Sequence, residues 1–191
     1  MIVNPTITRD IAGSGLALDD FATDKAYPQI AAAAANRAAQ PGLIDGVTAN
    51  ELEMNSDERG VLYELLTTRD GLAEPIVHVY QVVAEPGSIR AWVYHSRQCD
   101  RLAYTAGEFE VVLYDLRRGS PTMNRLNVFR VGEGNPCLLC IPPFVIHGVK
   151  NCGTKRSAFV NFPTRVFDRS RPDKARLVYG DPRIPYTFDA S

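Results

Sequence analysis

Only three histidines occur in the 191-residue chain, and two of them stand in segments that could deliver them to one pocket. His95 closes the run Ile89-Arg90-Ala91-Trp92-Val93-Tyr94-His95. Read as a strand, this run turns Ile89, Ala91, Val93 and His95 to one face and Arg90, Trp92 and Tyr94 to the other. His147 follows the stiff Pro142-Pro143 step and precedes Gly148, an arrangement that can fix a side chain at the mouth of a barrel. His78, in step with Ile76 and Tyr80, reads as a core or surface histidine. A neutral imidazole can take a proton near neutral pH or ligate a metal. Asp100 is available as a counter-ion, a general base or a ligand. Arg59, Arg90, Arg97 and Arg101 are candidate anion partners, since the guanidinium fork fits phosphate oxygens. Arg97 reads as solvated. Arg101 precedes the apolar Leu102 and Ala103, so its stem is expected to be partly buried.

A metal site needs three or four converging ligands. His95, Asp100 and His147 offer three, with the cation of Arg101 next to Asp100. The expectation is therefore no metal and no cofactor, with a three-ligand site as the alternative. Cys137 and Cys140 form a CxxC, but on a strand residues three apart face opposite sides. They and Cys99 and Cys152 are read as free thiols of a reducing cytoplasm.

The elements that must position these groups are β-strands. Candidates are 47–54, 61–66, 76–84, 89–95, 101–105, 108–115, 125–131, 137–141, 147–151 and 157–162. Turn residues separate most of them, as in Glu85-Pro86-Gly87-Ser88 and Gly132-Glu133-Gly134-Asn135-Pro136. Many short strands with frequent turns predict an all-β sandwich or barrel. Residues 1–43 read as an N-terminal arm carrying an alanine-rich helix from Gln29 to Gln40, stopped by Pro41-Gly42. Residues 44–191 read as the barrel, with a tail from Arg165 that wraps the surface as a short helix or turns. Composition is ordinary, at 45% hydrophobic and 23% charged, and the net charge is -1. Nothing at that level favours nucleic acid or an anionic membrane, and no apolar run approaches the ~20 residues of a membrane span. No secretory signal is read at the N-terminus, so a cytoplasmic protein is expected.

Several runs together carry a resemblance. They are Asp57-Glu58-Arg59-Gly60-Val61-Leu62-Tyr63-Glu64, Asp115-Leu116-Arg117 with Gly119-Ser120-Pro121-Thr122, and Ile141-Pro142-Pro143 with His147-Gly148, followed by the late Asp181-Pro182. In this order they resemble the dTDP-4-dehydrorhamnose 3,5-epimerase family, metal-independent cupins, over roughly 44–188. The resemblance implies a cupin-type jelly-roll barrel, usually a homodimer, that binds a nucleotide sugar. A histidine of that family removes the proton beside a 4-keto group, a cation stabilises the enolate, and a tyrosine returns a proton to the other face. Carried over, Arg59 would meet the diphosphate, Arg101 would hold the cation position and His147 would line the sugar pocket. Arg90 would be a pocket or phosphate contact, and Glu64 closes the first matching run as a further substrate-binding residue. The departures are as informative. Val93 holds the place of the base histidine, Asn161 aligns with the tyrosine, and Phe144 replaces a glycine and is expected to add bulk beside His147. The spacing of Gly87, His95, Asp100 and Gly107 also resembles the first motif of metal cupins, again with Val93 in place of a histidine.

The expected function is an epimerase or isomerase acting on a keto-sugar nucleotide or related keto compound by α-proton abstraction. His95, His147 and Arg101 are its candidate catalytic residues. Arg59, Glu64, Arg90, Asp100 and Asn161 are its candidate substrate contacts. The alternatives are a non-catalytic sugar-nucleotide-binding cupin, suggested by Val93, and a metal-dependent cupin.

Overall fold

The computed structural model describes residues 3–13, 15–20, 22–23, 40–67 and 75–189. The alanine-rich segment, apart from Gln40, lies outside them. Among the described residues the elements are strands and one 3₁₀ turn, Leu18–Asp20. The strands in chain order are β1 (Ile7–Asp10), β2 (Ala22–Thr23), β3 (Thr48–Glu51), β4 (Glu53–Asp57), β5 (Gly60–Glu64), β6 (Tyr80–Ala84), β7 (Ile89–His95), β8 (Asp100–Ala106), β9 (Glu108–Asp115), β10 (Arg125–Gly132), β11 (Cys137–Ile141), β12 (Val145–Asn151), β13 (Ser157–Asn161) and β14 (Lys174–Arg176). A seven-stranded sheet has the order β1-β10-β9-β12-β7-β14-β2, and a five-stranded sheet the order β3-β11-β8-β13-β6. Both are antiparallel throughout, and β4 and β5 form a separate hairpin. No described helix is long and apolar enough to cross a membrane.

Period-two alternation explains how one sequence covers two cores. On β9, Phe109, Val111 and Leu113 face the space between the sheets, where Phe129, Leu139, Tyr104 and Phe159 meet them. Val112 and Tyr114 point the other way, into a second cluster with Trp92, Tyr94, Leu126 and Ile146. That outer cluster is closed by Leu16 from the N-terminal segment and by Ile184 and Phe188 from the tail. Tyr104, Phe109 and Phe159 pack as tilted and edge-on rings with centroids 5.0–5.5 Å apart, the geometry the ring quadrupole favours.

Three local findings differ from the sequence reading. The first segment supplies β1 and β2, which edge the large sheet at its two ends. The tail contributes β14, which runs antiparallel to β7 and places Lys174 opposite His95. On β7 the simple alternation breaks. Val93 pairs with His147 but Arg90 pairs with Val149, so three steps on β7 match two on β12. This bulge puts Ile89 and Ala91 with Trp92 and Tyr94 against the outer cluster. Arg90 is thereby on the same face as Val93 and His95, opposite to the expectation.

Candidate active site

Asp100 is the centre of the site. It opens β8, whose Leu102 and Tyr104 face the inner core, so Asp100 points the same way into the space between the sheets. It is buried, and its Oδ1 accepts hydrogen bonds from Gln98 Nε2 at 2.6 Å and Asn161 Nδ2 at 3.0 Å. Its Oδ2 lies 3.4 Å from His95 Nε2 and 3.5 Å from His147 Nε2. Burial opposes ionisation of Asp100, but the two imidazoles and the amide donors outweigh it and hold the carboxyl below its usual range.

The two histidines differ in environment. His147 has both nitrogens engaged, because Nδ1 is 3.1 Å from the Val145 carbonyl. That carbonyl can only accept, so Nδ1 carries the proton and Nε2 turns a lone pair toward Asp100. Burial drives the His147 pKa down to about 4. Two electron-rich atoms facing one another, the His147 Nε2 lone pair and Asp100 Oδ2, favour a positive charge between them. Gly148 is what lets β12 approach β7 here. A Cβ at that position would lie 2.7 Å from Ala91 Cβ and 2.9 Å from the Trp92 ring.

His95 lines a cavity of about 610 Å³, in the range of small-molecule sites. Its ring stacks at 6.1 Å from that of His147, and its Nδ1 is buried, without a hydrogen bond, 3.9 Å from Asp173 Oδ2. Asp173 is itself held by the Ser96 and Gln98 backbone N–H groups. The cavity wall includes Tyr80, His78, Gln98 and Lys174, and its rim carries Arg97, Arg165, Arg171 and Arg176 against Asp168 and Asp173. Asn161 ties the far wall to the centre, donating to the Tyr80 hydroxyl at 2.8 Å as well as to Asp100.

The structure thus brings His95, His147, Asp100 and Asn161 together and leaves four other candidates elsewhere. Arg101 is fully buried but on the opposite face of β8 from Asp100. Its Nε donates to the Phe162 carbonyl at 2.6 Å and its Nη2 to that of Pro75 at 3.1 Å. It ties chain segments together and does not stand at a cation position beside the histidines, because neighbouring strand residues face opposite ways. Arg59 is exposed at the β4–β5 turn, paired with Asp57, and Glu64 ends the same hairpin; neither lines the cavity with His95. Arg90 lies at the other end of β7 and does not line it either. Phe144 also corrects the expectation. With φ at 62° it occupies the left-handed conformation that makes glycine natural there, but its ring turns away from the cavity to pack on Tyr94. Asp173, Lys174 and Tyr80 escaped the sequence reading, because they are brought in by pairing distant in sequence; Gln98 stands in the Gln-x-Asp step that the resemblance includes, without a role assigned to it there.

The runs that carried the resemblance are largely architectural. Buried Asp115 accepts from the Arg117 backbone N and Nε at 3.0 and 2.9 Å, and from the Ser120 and Thr122 hydroxyls at 2.7 Å each. Arg117 and Thr122 in turn hold the backbone of Asp45. The cysteines are free, and burial, then Cys140, pushes the Cys137 thiol up to about 12.

A jelly-roll of two antiparallel sheets with a polar cluster set into one end defines an all-β, cupin-type barrel. Residues 55–175 match the polysaccharide biosynthesis C-terminal domain family, to which the chain belongs. It is 35% identical over 147 residues to the spore coat polysaccharide biosynthesis protein SpsL of Bacillus subtilis, covering 77% of this chain and 97% of that protein. It is also 35% identical over 139 residues to a probable low-salt glycan biosynthesis epimerase of Haloferax volcanii, covering 71% and 88%. Among solved structures, a dTDP sugar isomerase from Desulfovibrio desulfuricans superposes with a TM-score of 0.70 at 28% identity, covering 75% of this chain and 91% of that one. The dTDP-6-deoxy-D-glucose-3,5-epimerase of Legionella pneumophila, solved with dTDP-4-keto-L-rhamnose, shares the fold with a TM-score of 0.68 at 23% identity, covering 78% and 81%. The chain is an epimerase-like cupin with relatives in sugar and glycan biosynthesis.

Proposed function

We propose that the chain epimerises a keto sugar carried on a nucleoside diphosphate, by removing and returning a proton at the carbon next to the ketone. The observation that carries this reading is His95 at the cavity wall with the Asp100 carboxylate 3.4 Å behind its Nε2. A base held by a carboxylate is stabilised in its protonated form, the form it reaches in the transition state. His95 is the base in this proposal, because it lines the cavity, whereas the His147 Nδ1 proton is held by the Val145 carbonyl and its ring is not among the cavity-lining groups. Lys174, opposite His95 across the β7–β14 ladder and on the cavity wall, is suited to the enolate oxygen. The arginine-rich rim suits the diphosphate, a role that Arg59 fills poorly from its separate hairpin.

The test is solvent deuterium uptake at the α carbon of dTDP-4-keto-L-rhamnose, the sugar nucleotide bound by the Legionella relative. Uptake that disappears in His95→Gln supports the assignment. No uptake by native protein at high concentration, with this and related keto-sugar nucleotides, refutes it.

A second reading has its own observation. One ligand atom from each of His95, Asp100 and His147 lies within 4.8 Å of the others, close enough for one divalent ion. Elemental analysis of protein purified without chelator decides between the readings; near-stoichiometric metal, lost in His147→Ala, would favour this one. We also propose a cytoplasmic homodimer. Free cysteines suit a reducing compartment, and the exposed Met54, Val61 and Leu62 of the hairpin offer apolar surface to a second copy. Sedimentation at micromolar concentration checks the dimer.

A further inference from the structure

Lys174 depends on other residues for its place opposite His95. It sits on β14, a strand of three residues flanked by β7 and by the two-residue β2 at the end of the large sheet. Strands this short are marginal unless a face of them is packed. β14 supplies little packing of its own. Lys174 and Arg176 turn to a cavity whose wall also carries Arg97, Arg165 and Arg171, with Asp168 and Asp173 as partial compensation. Cations brought together in this way resist docking of the strand. Between them only Ala175 is buried in the outer cluster, and it adds a single methyl group.

The hold on β14 therefore comes from the chain that follows it. Leu177 exchanges two backbone hydrogen bonds with Trp92, at 3.0 and 3.1 Å. Trp92 in turn is stacked by Phe188, with ring centroids 5.5 Å apart and planes at 21°. Phe188 is buried, and two more tail rings close on it: Tyr179 tilted at 6.0 Å and Tyr186 edge-on at 5.4 Å. Polar contacts pin the same segment. Tyr186 donates to the buried Glu110 Oε1 of β9 at 2.7 Å, and Lys150 of β12 donates to the Asp189 carbonyl. The tail thus leaves the cavity at β14, turns at Val178–Asp181, and comes back over the outer face of β7, β12 and β9.

We infer that Phe188 is a positioning residue. Seated on Trp92, it holds β14 against β7 and so keeps Lys174 on the cavity wall opposite His95. The inference rests on the epimerase reading above, in which Lys174 meets the enolate oxygen. Phe188 itself lies on the other side of the sheet from the cavity and touches no reacting atom, so its effect on the reaction passes through β14.

The experiment uses full-length Phe188→Ala, Lys174→Ala and the double variant. Deuterium uptake into saturating dTDP-4-keto-L-rhamnose is followed by NMR, and backbone amide exchange is followed in the free proteins. Each single variant is expected to lose uptake by about tenfold or more. In the Phe188→Ala background, Lys174→Ala should then cost less than about threefold, because a displaced lysine has little left to lose. The Trp92 and Leu177 amides should exchange at least about tenfold faster in Phe188→Ala, with Val111 in the inner core unchanged. If Phe188→Ala does not fold, Tyr186→Phe, which removes only the hydrogen bond to Glu110, takes its place with the same directions expected. An equal cost of Lys174→Ala in both backgrounds overturns the inference. So does native uptake by Lys174→Ala, or native protection of Trp92 and Leu177 in the tail variant, and each leaves the epimerase reading standing. No uptake by the native protein overturns that reading and the role of Phe188 with it.

Discussion

Replacing Asp100 by asparagine separates charge from shape at the centre of the site. Both donors to Asp100, Gln98 Nε2 and Asn161 Nδ2, reach Oδ1. They will hold the asparagine carbonyl in that place and leave its NH₂ where Oδ2 stood. That NH₂ can donate to the His147 lone pair, so the site stays packed. Toward His95 the change is adverse, because an N–H now faces the ring nitrogen that must carry a proton after abstraction. Unit charges 3.4 Å apart attract by about 5 kcal/mol at an effective dielectric near 20. If between half and all of this acts on the imidazolium in the transition state, the barrier rises by ~2.5–5 kcal/mol, roughly 70- to 5,000-fold in rate. Deuterium exchange into dTDP-4-keto-L-rhamnose measures the loss, with thermal unfolding as the control. Exchange by Asp100→Asn within about fivefold of native, at an unchanged melting temperature, would show that the carboxylate does not stabilise the base, and the assignment of His95 would fall with it.

Three further outcomes follow from the packing. His147 titrates near pH 4 when folded and near 6.5 when unfolded, so between these values the unfolded chain holds more protons. Stability is therefore full above about pH 6.5 and declines as pH falls toward 4, by roughly 3 kcal/mol for this group, and urea unfolding against pH should find that slope reduced in His147→Gln. Asp115→Ala strands the Arg117 guanidinium and two hydroxyls beneath the β9–β10 connection, and should cost about 3–5 kcal/mol in chemical denaturation. Gly148→Ala drives a methyl group into Ala91 and Trp92; a loss of about 1–3 kcal/mol is expected, with slower exchange because the adjacent His147 shifts.

Much of the barrel was legible in the sequence because alternation and turn chemistry are local. Ile89–His95, Glu108–Asp115 and Cys137–Ile141 form as read, to the residue. The same locality fixed Asp100 and Arg101 as a pair of which only one can face inward. Which one does so depends on the strands that β8 joins, and the inner packing of Leu102 and Tyr104 decides for Asp100. On β7 the alternation itself failed, since a bulge depends on the partner strand β12 and leaves no mark in the β7 sequence. Phe144 reads as pocket bulk because the resemblance puts it in the place of a glycine, whereas the side on which its ring finds a cluster is decided by packing against Tyr94.

The sequence by itself determined the class of fold, the family resemblance and the two histidines around which a pocket could form. Only the tertiary structure joined His95 and His147 through one carboxylate, set Lys174 opposite His95, and moved Arg101 out of the site. It also brought the Tyr80 phenol to Asn161, from a strand 81 residues earlier in the chain. The reason is physical. Strand formation answers to neighbours along the chain, whereas a site between two sheets is made of pairings whose partners no local pattern can name.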